Sequence, residues 1–276
     1  MDELQNLPEE NENQNIVPEE EKELSHLDKL MGIFTEPIKT FEKISLFPPK
    51  TIDWFLPFFL LLLVISVSQV IRMSNPIIKS ELQEKQIQQI EKSLDEAVKR
   101  GEITRQDANQ RMETIQNQMS EAKMGPIILF QTISIFVMGF IFFLIVCGVY
   151  FIFAKFVFKD NGTYSGVLVA SGITSYIGIL QIIVVTILSL LFSKFFQDTS
   201  LTSFLSIERT TLAGVLLSKI DPFSIWAYSI TSIGIAKMFK SNNLLKYFIL
   251  IFGLWIGWGL IVYLLGNILP FMKNFV

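Results

Sequence analysis

The chain has 276 residues, half of them hydrophobic and 25 of them Phe, with a formal net charge of −3 and a mean hydropathy of +0.45. Charged residues make up 18%, against about 25% in an ordinary soluble domain, which excludes that class. With Cys147 the only cysteine and His26 the only histidine, an intrachain disulfide, a thiolate cluster and most transition-metal chemistry are excluded as well.

The placement of the charges carries the fold. Five windows hold no Asp, Glu, Lys or Arg: 54–71, 124–154, 161–193, 222–236 and 247–272. A helix crossing the hydrocarbon core needs about 20 apolar residues, and each charge at its centre costs about 2.5–3.5 kcal/mol. The expectation is an all-α integral membrane protein with five transmembrane helices. It adds an amphipathic N-terminal interfacial helix and a polar helical hairpin inserted between the first and second spans.

Residues 1–24 hold nine acidic residues against Lys22 and are interrupted by two prolines, a composition that predicts a disordered acidic tail. Segment 25–50 is the amphipathic juxtamembrane segment. Its stripe is Leu27, Leu30, Met31, Phe34, Ile38, Phe41 and Ile44, with Lys29, Lys39 and Lys43 off it. Thr35 is placed to cap a helix with Pro37 in its first turn. Such a stripe suits either the membrane interface or the protein's own bundle.

The membrane domain occupies 51–276. Its first span is 54–71, with Trp54 and Arg72 at the two interfaces. The hairpin, 73–123, starts at Asn75-Pro76, stops at Gly101 and restarts at Thr104 with Asp107, a capping-box pattern. Its stripes are Ile87, Ile90, Leu94 and Val98, then Ala108, Met112, Ile115 and Met119. Its charges balance, which argues against a nucleic-acid surface. The second span lies within 126–154. Window 161–193 reads as two parts: a Gly/Ser/Thr-rich piece, 163–174, running as an interfacial or re-entrant helix, and a third span over 176–193. A loop over 194–220 contains a short helix near 212–220. Asp221 caps the fourth span at Pro222, which ends near 239, and the fifth covers 247–271.

Lys155 and Lys159 in one short turn, and Lys237, Lys240 and Lys246 in another, place those turns in the cytoplasm. The N-terminus joins them there, while the hairpin, loop 194–220 and Val276 face outward from a cytoplasmic (inner) membrane. Gly253 and Gly257 form a GxxxG, and Ser224, Ala227, Thr231 and Gly234 a small-residue stripe. The natural pairing is of the fourth span with the fifth through these faces; a homo-oligomer contact is the other use of a GxxxG.

Several segments together resemble the bacterial branch of the Yip (Ypt-interacting protein) family. MGIFTEPIKTFEKI ahead of DWFLP supplies Phe34, Pro37, Phe41 and Trp54. FVFKDNGTYSGVLVASGITSYIGIL supplies Gly162, and DPFSIWAYSITSIGIAKMFKSNN supplies Asp221, Phe223, Trp226 and Gly234. The resemblance covers roughly 27–271 and implies a five-span fold with a cytoplasmic N-terminus. The DLYGP-type motif of eukaryotic members, which contact Rab-type GTPases, is not present in this chain.

No HExxH, GxSxG or phosphate-binding glycine loop occurs, so no catalytic, cofactor or metal residues are expected. Polar groups within the windows include Gln131, Thr132, Ser134, Gln181 and Thr186, none of them ionisable. The expected function is that of a non-enzymatic scaffold or accessory subunit with a protein partner in the bilayer, its membrane complex serving envelope transport. The alternative is a small permease or lipid- or solute-handling protein using segment 163–174.

Overall fold

The structure is a computed structural model and describes residues 22–121 and 124–268. The acidic tail up to residue 21 and the last residues of the expected fifth span lie outside the described residues. In chain order the helices are α1 (His26–Thr35), α2 (Pro37–Ile44), α3 (Thr51–Met73), α4 (Pro76–Lys99), α5 (Arg105–Glu121), α6 (Met124–Ile152), α7 (Tyr164–Phe192), α8 (Leu201–Leu205), α9 (Leu212–Ser218), α10 (Pro222–Met238) and α11 (Leu244–Ile268). A π turn over Phe153–Val157 extends α6, and no strand occurs among the described residues.

Among the described residues four helices are long and apolar enough to cross a membrane: Thr51–Met73, Ile128–Val157, Tyr164–Phe192 and Leu244–Gly266. The chain is therefore a multi-pass membrane protein. α10 has 17 residues, about 25 Å of rise, and is shorter than these four.

Local chemistry sets the helix starts. Ser25 and Asp28 form a reciprocal capping box on α1, and Asn75 accepts from the Ile77 and Ile78 N–H groups ahead of Pro76. Thr104 and Asp107 close the expected box on α5, and Asp221 caps α10 at Pro222. One cap differs from expectation. Thr35 is the last residue of α1, its hydroxyl donating to the Met31 carbonyl, and Glu36 (φ −140°) is the break. A proline ring disfavours the helical conformation at the residue before it, so the break falls on Glu36 rather than Thr35.

α7 is the spine of the bundle. It runs parallel to α3, with Gly172 against Trp54 and Gly178 against Leu61, and antiparallel to α10, with Gly166 against Met238. The expected division of 161–193 is corrected: after the Thr163 cap, residues 164–174 belong to a single helix that continues to Phe192. The small residues serve close packing. A Cβ on Gly172 would stand 2.4 Å from the Trp54 Cα, and Val167, Val169, Ala170 and Ile173 are fully buried. The Thr174 hydroxyl donates to the Ala170 carbonyl within the same helix, so its polarity is satisfied without water.

The expected seam between α10 and α11 is also corrected. Gly253 and Gly257 face open space within 4 Å. α11 meets α10 instead through Tyr228 against Trp255 (ring centroids 4.7 Å) and Phe252 (6.3 Å). The small residues of α10 turn elsewhere: Gly234 receives Phe41 of α2 and Ala170 of α7. Ala227 packs on the same core, Thr231 is buried with its hydroxyl donating to the Ala227 carbonyl, and Ser224 donates to Asp221.

Candidate functional site

Two polar assemblies stand at opposite ends of the bundle, here called the tail side and the hairpin side. On the tail side, α1 and α2 are locked onto the spans by charge. Lys29 donates to Asp53 at the start of α3 (2.7 Å), and the residues are 4% and 3% exposed. Lys29 also reaches Glu23 at 3.3 Å, and Lys50 donates to the other Glu23 oxygen at 2.6 Å. The hydrogen bond from Lys50 is what holds the Glu23 carboxyl below its ordinary range. His26 shares a 2.6 Å hydrogen bond with the Tyr176 hydroxyl of α7, and its other ring nitrogen stands 3.6 Å from Asp53. Burying two charges is tolerated only where they meet in good geometry, so this pair fixes where α1 lies.

The family-like residues other than Asp221 pack on this side of the bundle. Phe34 meets Trp226 edge-on (5.4 Å), with Phe223 beyond it at 6.4 Å. Trp54 stacks on Phe143 (5.9 Å), Phe41 fills the space left by Gly234, and Gly162 receives the Phe239 ring. Pro37 opens α2 at its first turn. Of the expected amphipathic stripe, Phe41 and Ile44 are buried in the core, joined there by Ile33 from outside the stripe, while Leu27, Met31 and Ile38 remain exposed. The segment thus packs on the bundle and still presents an apolar edge.

The two tail-side turns are joined by Asp160, which accepts from Lys246 at 2.5 Å and Tyr247 at 2.7 Å. Burial raises the Asp160 carboxyl, but hydrogen bonds from Lys246, Tyr247 and Ser241 outweigh it, and the net shift is downward. A depressed carboxyl stabilises the fold above its unfolded value and loses that contribution as pH falls through its folded value. Acidification below about pH 4 should therefore loosen this turn in the wild type, and Asp160→Asn should flatten that part of the pH–stability curve in detergent.

On the hairpin side, α4 and α5 form an arm. Arg105 pairs with Asp95 across it, Ala108 is buried, and Ile87, Ile90, Leu94, Val98, Met112 and Ile115 are half-buried between the helices. The arm meets the bundle at its root. Ile78 is fully buried, and Glu81 accepts from the Phe195 N–H at 2.7 Å. Arg72 donates to the Phe196 carbonyl at 3.1 Å and lies over the Phe195 ring.

Beyond Phe196 the chain descends. The Phe196 N–H bonds the Ser189 hydroxyl of α7, but Asp221 bonds Gln181 (2.7 Å), eight residues earlier on that helix and so about 12 Å lower. Asp53 and Arg72 stand 19 residues apart on α3, about 29 Å of rise. The Asp221 carboxylate thus lies near the middle of that length, 1% exposed. It accepts from Gln181, Thr199, Ser224 (2.8 Å) and the Phe223 N–H (3.1 Å). The loop expected over 194–220 is thus not confined to the end of the bundle: it descends to the buried Asp221 carboxylate, which stands just before the charge-free window 222–236. Charge-free windows report where an apolar run begins, not how far its helix is shifted along its neighbours.

Above Asp221, Asp198 accepts from Ser200, Ser203 and Arg209, each at 2.6 Å. Every carboxylate oxygen here is engaged by this chain's own donors, which describes a structural polar plug. No group of His, Cys, Asp and Glu capable of holding a metal occurs among the described residues. Sequence reasoning missed the Lys29–Asp53 lock and the Asp198 plug. The available signal was an acid in the first turn of a span, Asp53, without an assigned partner. No protein-family model, curated protein or solved structure matches this chain.

Proposed function

We propose that this protein is a non-enzymatic membrane scaffold or accessory subunit of Yip-type, five-span architecture. α10 serves as the fifth crossing, and the descending segment 193–221 completes it on the hairpin side. The observation that carries the reading is the α4–α5 arm, whose helices run about 36 Å and 25 Å at 24 and 17 residues. Beyond its root at Ile77 and Ile78, the apolar stripe is spent between its own two helices and the outer positions are polar, so the arm extends the protein without adding to the core. An arm of this kind suits docking a partner, here a complex of the cytoplasmic (inner) membrane serving envelope transport, with the N-terminus cytoplasmic and the arm outside. No catalytic, cofactor or metal residues are assigned. The transport alternative loses support because segment 163–174 is packed helix against α3 and α10.

Affinity capture from native membranes in mild detergent, with wild type and a variant carrying a Gly/Ser linker in place of 80–120, tests this. The expected result is a stoichiometric protein partner with wild type and its loss from a folded, inserted deletion. Recovery of the protein with lipid or solute alone, or an unchanged partner on the deletion, would contradict it.

A further inference from the structure

We propose that Lys219 holds the phosphate of an anionic phospholipid from the hairpin-side leaflet, seated between α9 and α11. The Lys219 ammonium has no hydrogen-bond or ion-pair partner among the described residues; it lies over the Trp255 ring, 5.1 Å from the centroid. A place is cut for the side chain. At Gly259 of α11 a Cβ would stand 2.8 Å from the Lys219 Cε and 2.9 Å from its Nζ, so the stem lies in the notch that the glycine leaves.

The depth of this cation decides what must neutralise it. On α11, Gly259 follows Lys246, which pairs with Asp160 at the tail-side end, by 13 residues, about 20 Å of rise. Lys219 is also two residues from the buried Asp221 cap. A lysine stem reaches about 6 Å, half the roughly 12 Å up to the Arg72 level, so snorkelling does not bring the ammonium to the surface. The carboxylate within its electrostatic reach is Asp198, shared with Arg209 and already bonded by Arg209, Ser200 and Ser203. A cation at such depth is costly unless an anion meets it.

The surroundings select the anion's carrier. Leu216 and Ile220, flanking Lys219 in the chain, and Trp258, next to Gly259, are 48%, 49% and 55% exposed, apolar surface that suits acyl chains. A lipid phosphate drawn down along α9 satisfies the charge and the greasy surface together, whereas a free inorganic anion satisfies only the first. This inference is independent of the scaffold reading.

The test uses the full chain in nanodiscs of equal parts phosphatidylcholine and phosphatidylglycerol, with retained lipid counted by native mass spectrometry. Wild type should keep one phosphatidylglycerol whose occupancy falls about tenfold in Lys219→Met, the loss of one charge-assisted contact. Lys219→Arg should keep it, and Gly259→Val, which fills the notch and displaces Lys219, should lose it too. Equal phosphatidylglycerol retention by wild type and Lys219→Met would overturn the proposal. So would retention of phosphatidylcholine in equal measure, or retention by Gly259→Val should Lys219→Met fail to fold.

Discussion

Gly172→Leu is expected to abolish a stable bundle, while Gly253→Leu leaves it close to wild type. The first added carbon at 172 already meets the Trp54 backbone, with Cα at 2.4 Å and the carbonyl oxygen at 2.8 Å. Backbone cannot rotate aside as a side chain can, so α3 and α7 must separate along their whole parallel contact. Overpacking costs about 1–3 kcal/mol, and a backbone obstruction belongs at or above the upper end. Globular domains as a class have only about 5–15 kcal/mol to lose. Gly253 faces open space, and a leucine there meets lipid. Thermal unfolding in detergent, followed by size-exclusion recovery, separates the two; equal midpoints would remove α7 from its place as the spine.

Lys29→Met should destabilise the protein by about 3–5 kcal/mol, because it leaves Asp53 buried without its ammonium. Both side chains of this pair are 5% exposed, so solvent screening does not dilute the loss. The first consequence should be local: α1 and α2 leave α10, exposing Phe41 and Ile44, and limited proteolysis cuts before Thr51. Restoring apolar balance in Lys29→Met/Asp53→Leu should recover part of the stability, since two matched apolar groups replace two desolvated charges. A single variant within about 1 kcal/mol of wild type would show that the pair is a surface-like contact, contrary to its burial.

Much of this architecture was legible because it is written in short-range chemistry. Asn75-Pro76, Thr104 with Asp107, and Asp221-Pro222 each mark a helix start within four residues, and each does so in the structure. The hairpin stripes likewise needed only a helical period. What escaped depends on register. A GxxxG on α11 says that a close approach is permitted, but the Tyr228, Phe252 and Trp255 rings decide that the approach happens elsewhere. Gly, Ser and Thr over 163–174 signalled irregular backbone, whereas their smallness lets Trp54 and Met238 come close to an unbroken helix. Lys29 and Asp53 stand 24 residues apart, and no pattern within one helix reports such a pairing. Asp221 was correctly read as a cap, but its depth follows from the antiparallel offset of a 17-residue α10 against a 29-residue α7.

That offset makes α10 the element on which the five-crossing account turns, and site-directed labelling addresses it most directly. In a Cys147→Ser background, Asn109→Cys reports the arm, and Asn242→Cys reports the turn between α10 and α11. Both asparagines are exposed, whereas the neighbouring Ser241 is buried and unsuited. If α10 crosses, the two positions lie on opposite faces. An impermeant maleimide applied to intact cells should then label Asn109→Cys and spare Asn242→Cys until the membrane is opened. Labelling of both positions in intact cells would contradict the account, leaving four crossings and α10 returning to the face it came from.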